Sequence, residues 1–196
     1  KRNIMKTLET GAEQLIARAM ENGASVAKVI SPKDVVVAPW VKQKCQFGCR
    51  NYGKRFACPP YAPTPEETAE TLGTYEKALL VGYYNLKREE PGEEAKRRDI
   101  HKLLYDLERD AFLGGYHKAF FYGAGPCRLC PECPAGKIEN PGMFHKKECK
   151  FPKEARPSME AAGMDVYATV HRAGFDLHVV REHADPYNCF GLVLLE

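Results

Sequence analysis

The amino-acid sequence predicts an α/β fold with a small mixed sheet, a βαβ crossover and cysteine-rich, cluster-organised loops. Two strand-sized apolar runs, at 77–84 and 118–122, are the first observation behind this prediction. Between them, apolar residues at 100–112 recur at helical spacing and stop at the pair Gly114 and Gly115, which is typical of a helix end. A strand, a helix and a strand in this order form a βαβ unit, whose two strands normally run parallel.

The remaining elements follow from the same periodicities. Thr64 stands before Pro65 and two glutamates, which is a helix start signal, and the helix should run to about Leu72. The other predicted elements are helices over 6–22, from 157 and over 165–173, and strands over 26–30, 35–37 and 190–195. We expect a single domain over residues 1–196, with cysteine-rich segments at 44–61 and 123–152.

Composition and charge exclude several classes of protein. The net charge of +3 is small and the basic residues are scattered, so we expect no nucleic-acid partner. The longest apolar runs are strand-sized, whereas a membrane helix needs roughly 18 apolar residues, so we expect no membrane span. No secretion signal is visible in the sequence. These observations predict a cytoplasmic protein with reduced thiols.

The strongest local signal is a cysteine pattern in the second cysteine-rich segment. Cys127, Cys130 and Cys133 are each separated by two residues, fifteen residues separate Cys133 from Cys149, and a proline lies three positions beyond Cys149. Three thiolates at this spacing can occupy three corners of a 4Fe–4S cubane, and a remote cysteine closes the fourth. The alternatives are four structural thiolates on zinc or two disulfides, but structural zinc sites usually pair their ligands in two separate knuckles.

A second group comprises Cys45, Cys49 and Cys58. Glycines, basic residues and the stiff exit Pro59-Pro60 surround it, which favours a second metal or cluster pocket. Cys189, at the start of the last predicted strand, could supply the fourth ligand, or it could be a small buried strand residue. Without it, the second cluster would have an open iron able to act as a Lewis acid.

Other residues near the cysteines give weaker signals. His145 could replace a ligand, but a solvated histidine beside two lysines is the more ordinary interpretation. Five aromatic residues could shield clusters from water: Tyr52, Phe56, Tyr61, Phe144 and Phe151. The chain has no nucleophile elbow, Walker loop or HExxH motif, so an enzyme is expected only through the clusters.

Several motifs occur in order along the chain: Lys44-Cys45 to Cys49, Asn51-Tyr52-Gly53-Lys54, Ala57-Cys58-Pro59-Pro60, Ala124 to Cys133, and Arg156 to Val166. In these motifs the chain resembles the predicted metal-binding, cysteine-rich proteins of the domain of unknown function 2284, found largely in anaerobic bacteria and archaea. The resemblance implies metal binding by the seven cysteines from Cys45 to Cys149, but it supplies no reaction and does not extend to Cys189.

The sequence therefore predicts an intracellular electron carrier or redox accessory protein with one or two 4Fe–4S clusters. A redox protein or an enzyme would be its partner. Two rivals remain open: an enzyme whose three-cysteine cluster binds a small substrate, which could be a sulfur compound, and a zinc-stabilised interaction module.

Overall fold

The computed structural model describes residues 2–88, 90–139 and 146–196, and it confirms the α/β class. Within these residues, five α-helices and four β-strands follow one another. In chain order they are α1 (Arg2–Glu21), β1 (Val26–Ile30), α2 (Pro39–Gly48), α3 (Pro65–Leu72), β2 (Ala78–Leu86), α4 (Glu93–Leu113), β3 (Phe120–Tyr122), α5 (Val166–Arg172) and β4 (Tyr187–Leu194). Short 3-10 turns occupy Pro32–Asp34, Pro134–Lys137 and Lys146–Glu148.

The strands form one sheet in the order β1-β2-β4-β3, and each neighbouring pair is antiparallel. β2 and β3 therefore run in the same direction on either side of β4, and α4 connects them. The predicted crossover is present, but the expectation of a mixed sheet with parallel pairing is wrong for these strand pairs. The reason is that β4, which is distant in sequence, takes the hydrogen-bonding position between the two strands of the βαβ unit.

Apolar side chains fill both faces of the sheet. Successive side chains of β2 point to opposite faces, so Leu79 and Val81 pack with α1 and α4, while Ala78 and Leu80 pack on the other side. The second face is covered by α5 and the residues just before it. Burial on both faces explains why β2 reads in the sequence as an unbroken apolar run.

Two predicted helix ends are confirmed by their caps, and one helix is longer than expected. The Thr64 side chain accepts from the Glu67 backbone and Glu67 accepts from the Thr64 backbone, which is a complete capping box for α3. Asp165 caps α5 by accepting from Ala168. α4 begins at Glu93 rather than near residue 100, because its first two turns are charged and expose most of their side chains.

The segments at 35–37 and after 157 differ from their predictions. Val37 forms only an isolated bridge with Met164, and the residues after Pro157 form turns instead of a helix. The two segments hold each other, since the Ala38 amide donates to the Gly163 carbonyl at 2.9 Å. Pro39 then opens α2, a helix that the prediction missed.

A buried carboxylate joins α4 to the sheet and to the chain after the second cysteine-rich segment. Glu108 Oε2 accepts from the Phe121 backbone at 2.7 Å, and Glu108 Oε1 accepts from Arg156 Nη2 at 2.6 Å. The side chains of Glu108 and Arg156 are 11% and 19% exposed. The pair thus fixes both ends of the loop that starts after β3 and returns at Arg156.

Replacing Glu108 should destabilise the protein strongly. Glu108→Ala leaves Arg156 without its counter-charge and Phe121 without its acceptor, so the free energy of unfolding should fall by about 3–5 kcal/mol. Urea unfolding of the metal-free protein measures the loss. Asp106→Ala on the same helix is the control, because its long 3.9 Å pair with the exposed Arg109 should contribute less than about 1 kcal/mol. Equal losses in the two variants would contradict this assignment.

Candidate metal centre

The four cysteines of the second cysteine-rich segment line one pocket. Cys127, Cys130, Cys133 and Cys149 line a small pocket of about 20 Å³ that is walled mainly by apolar groups. Its other lining residues are Arg55, Phe56, Ala57, Leu129, Pro134, Phe151 and Ala155. The structure therefore brings together the four side chains for which the sequence predicts joint ligation.

Electrostatic interactions connect the thiols of this quartet. The pKa of Cys127 is raised to about 11, mainly by burial and in smaller part by the neighbouring Cys130 and Cys133. Burial also raises the pKa of Cys130, with added contributions from Cys133 and Cys149. Adjacent thiols hinder one another's ionisation because each thiolate repels the next. A positive metal centre removes that repulsion.

The second group forms where α2 ends. Cys45 lies on α2, Cys49 is the residue that ends the helix, and Cys58 is buried in the turns that follow. The pKa of Cys58 is raised to about 12, mainly by burial and in smaller part by Cys49 and Cys45. Burial and Cys49 likewise raise the pKa of Cys45. These three thiols thus lie close enough to interact, while Cys49 remains exposed to solvent.

Arg55 links the two groups. Its Nη1 donates to the Cys127 carbonyl at 2.8 Å, and Cys58 also interacts with Cys127. The Arg55 charge opposes the burial that raises the pKa of three thiols, which belong to Cys58, Cys127 and Cys130. Sequence reasoning noted Arg55 only as one of several nearby cations, because spacing along the chain does not show which loop a side chain will reach.

Cys189 lies in a different environment. It is paired with Tyr83 across β2 and β4 and packs against the core on the α4 side. Its pKa is raised to about 12, mainly by burial and also by Glu160, while Arg97 and Lys96 act to lower it. Glu160 also acts on the pKa of Cys45, but no thiol is among the groups that act on Cys189. Its role as a ligand stays a prediction.

An unpartnered hydroxyl near the thiols fits a thiolate-bound centre. The Tyr61 hydroxyl is buried and has no hydrogen-bond partner among the described residues. Tyr61 shares with Cys149 the lining of an adjoining pocket of about 170 Å³, and its hydroxyl can donate to metal-bound sulfur, which accepts hydrogen bonds. Arg128 Nε is also buried without a partner, but the Arg128 guanidinium pairs with Glu94 and does not line the pocket of the four cysteines.

Three residues of the second cysteine-rich segment, Gly142, Phe144 and His145, lie outside the described residues. Among the residues that are described, no three His, Cys, Asp or Glu side chains converge on the position of a single ion. The quartet instead surrounds a space.

Comparison with known proteins places the chain in a family. The family described as "Predicted metal-binding protein (DUF2284)" matches residues 28–195. The chain belongs to this family. The matched range of this DUF2284 protein contains all eight cysteines. No curated protein and no solved structure matches it. Each helix in the described parts of this family member is too short or too polar to cross a bilayer.

Thiol alkylation should distinguish the cysteines of the metal-free protein. At pH 8, a thiol with a pKa near 12 has a thiolate fraction roughly a thousandfold below that of an ordinary cysteine, and the thiolate is the reactive form. Cys58 and Cys189 should therefore react slowly with iodoacetamide, whereas exposed Cys49 reacts first. Raising the pH should accelerate the slow pair about tenfold per unit, because each unit increases the thiolate fraction tenfold.

Peptide mass spectrometry gives the labelling rate at each site. Protein unfolded in guanidinium is the control, in which all eight cysteines should react at similar rates. Labelling of Cys58 as fast as Cys49 in the folded protein would contradict the burial described above.

Proposed function

We propose that this DUF2284 protein is an iron–sulfur protein that works as an electron carrier or redox accessory. The observation that carries the proposal is the pocket lined by Cys127, Cys130, Cys133 and Cys149, whose spacing matches cubane ligation. A second cluster would use Cys45, Cys49 and Cys58, with Cys189 as a candidate fourth ligand. All eight thiols are free, which suits a reducing compartment such as the cytoplasm.

The protein's own residues would control the potential of such a centre. When bound, a 4Fe–4S cluster accepts and releases one electron at a time. Phe56 and Phe151 line the pocket and restrict water, which favours the less charged state of its contents. Arg55 supplies positive charge to both groups, and the buried Tyr61 hydroxyl is available to bound sulfur. Aromatic shielding, positive charge and hydrogen bonds are the means by which proteins adjust these potentials.

A second candidate function is supported by the position of Cys189. Its interactions are with Arg97, Glu160 and Lys96, so the second group has three mutually interacting thiols. A three-cysteine cluster would leave one iron open to a small substrate, which is the enzyme alternative. Cys189→Ser tests this: retention of all iron, together with a spectral change on adding a small thiol, would favour the open site.

Metal analysis tests the leading proposal. Protein purified without oxygen should contain about eight irons and eight acid-labile sulfides if both sites hold 4Fe–4S clusters. Cys130→Ser and Cys58→Ser should each reduce the iron content to about four, because each removes a ligand from a different group. The two variants are therefore controls for each other. Zinc without sulfide would contradict the proposal and support a structural module.

Arg55 should raise the midpoint potentials of both sites. Arg55→Met removes a positive charge near each group, so both potentials should become more negative by roughly 50–100 mV, equivalent to about 1–2 kcal/mol per electron. Redox titration followed by visible absorbance measures the shifts. Arg55→Lys should keep most of the effect because it keeps the charge.

Arg172→Met is the matched control for Arg55→Met, since Arg172 is exposed on α5, a helix without cysteines, and its charge is screened. Equal shifts for Arg172→Met and Arg55→Met would show that Arg55 has no special place between the two sites.

A further inference from the structure

The outer side of α2 exposes large apolar groups. Trp40, Lys44 and Phe47 are spaced four and three residues apart, so they lie on one side of the helix. Phe47 is 83% exposed and Trp40 is 43% exposed. Lys44 Nζ lies 5.2 Å from the centroid of the Trp40 ring, so the cation and the ring form one surface. Such exposure of aromatic groups is unusual unless a partner covers them.

The exposed end of α2 also carries a cysteine of the second group. Cys49 ends the helix and is exposed, whereas Cys58 of the same group is buried. Arg50 and Lys54 follow Cys49, and both are exposed. The second group therefore reaches solvent at a point that is bordered by an aromatic ring and by cations.

The region around α2 is positively charged. Residues 35–65 contain five Lys and Arg residues and no Asp or Glu. Since the whole chain carries +3, the other residues together carry −2. Lys42 interacts with Glu66 at the start of α3, but Lys44, Arg50 and Lys54 form no ion pair with the described residues. These three cations are available to a partner.

We propose that an acidic one-electron carrier protein binds to this surface, which is called the docking face below. The docking face comprises Trp40, Lys44, Phe47, Cys49, Arg50 and Lys54. The proposal rests on the proposed function, because such a carrier needs a redox centre to serve. An apolar centre with a charged rim is the usual anatomy of a specific interface. Opposite charge speeds encounter and fixes orientation, and the exposed Cys49 is where a carrier can come closest to the second group. On electron transfer, the reduced carrier loses one electron and the DUF2284 protein gains it.

Binding of an acidic ferredoxin to the cluster-loaded protein tests the docking face. The dissociation constant, measured by calorimetry, should increase at least tenfold between about 20 mM and about 300 mM salt, because salt screens charge pairs. Lys44→Glu combined with Arg50→Glu should weaken binding at least tenfold at low salt, because it replaces attraction with repulsion. Phe47→Ala should weaken binding at both salt concentrations, because its contribution is apolar.

Matched controls lie on α4. Lys102→Glu combined with Arg109→Glu changes the net charge equally at two exposed positions and should alter binding less than twofold. Leu113→Ala removes an apolar side chain that is 70% exposed and is the control for Phe47→Ala. Iron and sulfide are measured for every variant, so that loss of a cluster is not taken for loss of docking.

The outcomes separate the two proposals. The docking face is overturned if the two double variants weaken binding equally, or if wild-type protein that carries its clusters does not bind ferredoxin. Either outcome leaves the proposed function standing. A wild type without clusters overturns both proposals. Binding of a single-stranded oligonucleotide that depends on Lys44 and Arg50, without ferredoxin binding, overturns the docking face in favour of a nucleic-acid surface.

Discussion

The buried carboxylate of Glu108 determines where the second cysteine-rich loop begins and ends. It accepts from the backbone of β3 just before the loop leaves the sheet, and from Arg156 just after the loop returns. The Arg156 guanidinium also lies over the Phe120 ring, 5.1 Å from its centroid. A loop with little regular structure of its own is thus closed by contacts at its base. The pocket it forms depends on this closure, because a long loop without fixed ends has a large conformational entropy.

Three arginines near the cysteine groups differ in their partners. Arg97 pairs with Glu93 and Arg128 pairs with Glu94, while burial and the charges of Arg97 and Arg55 lower the pKa of Arg128. Arg55 forms no ion pair with the described residues and donates instead to Asn51 and to the Cys127 carbonyl. Metal ligation converts thiols to thiolates, which would give Arg55 the counter-charge that it otherwise lacks among these residues.

Local patterns in the sequence were sufficient for much of the fold. The capping box of α3 and the apolar run of β2 involve residues close together in the chain, so periodicity and caps identify them. The position of β4 could not be predicted, because hydrogen bonding between β2 and β3 depends on a strand about seventy residues farther along. The C-x2-C-x2-C spacing predicted a common pocket for four cysteines. It could not reveal that Arg55 reaches the Cys127 carbonyl, since a contact between two loops leaves no local signal.

The order of the strands has a consequence for the time course of synthesis. β4 is the last strand in chain order, yet it lies between β2 and β3 and pairs with both. Until it emerges from the ribosome, the crossover unit lacks its middle strand, and β2 and β3 each expose an edge of unpaired backbone N–H and C=O groups. Both cysteine groups before it are therefore made well before the sheet that supports them can close. Metal insertion should accordingly follow closure of the sheet, and the nascent chain would benefit from a chaperone that shields its edges until then.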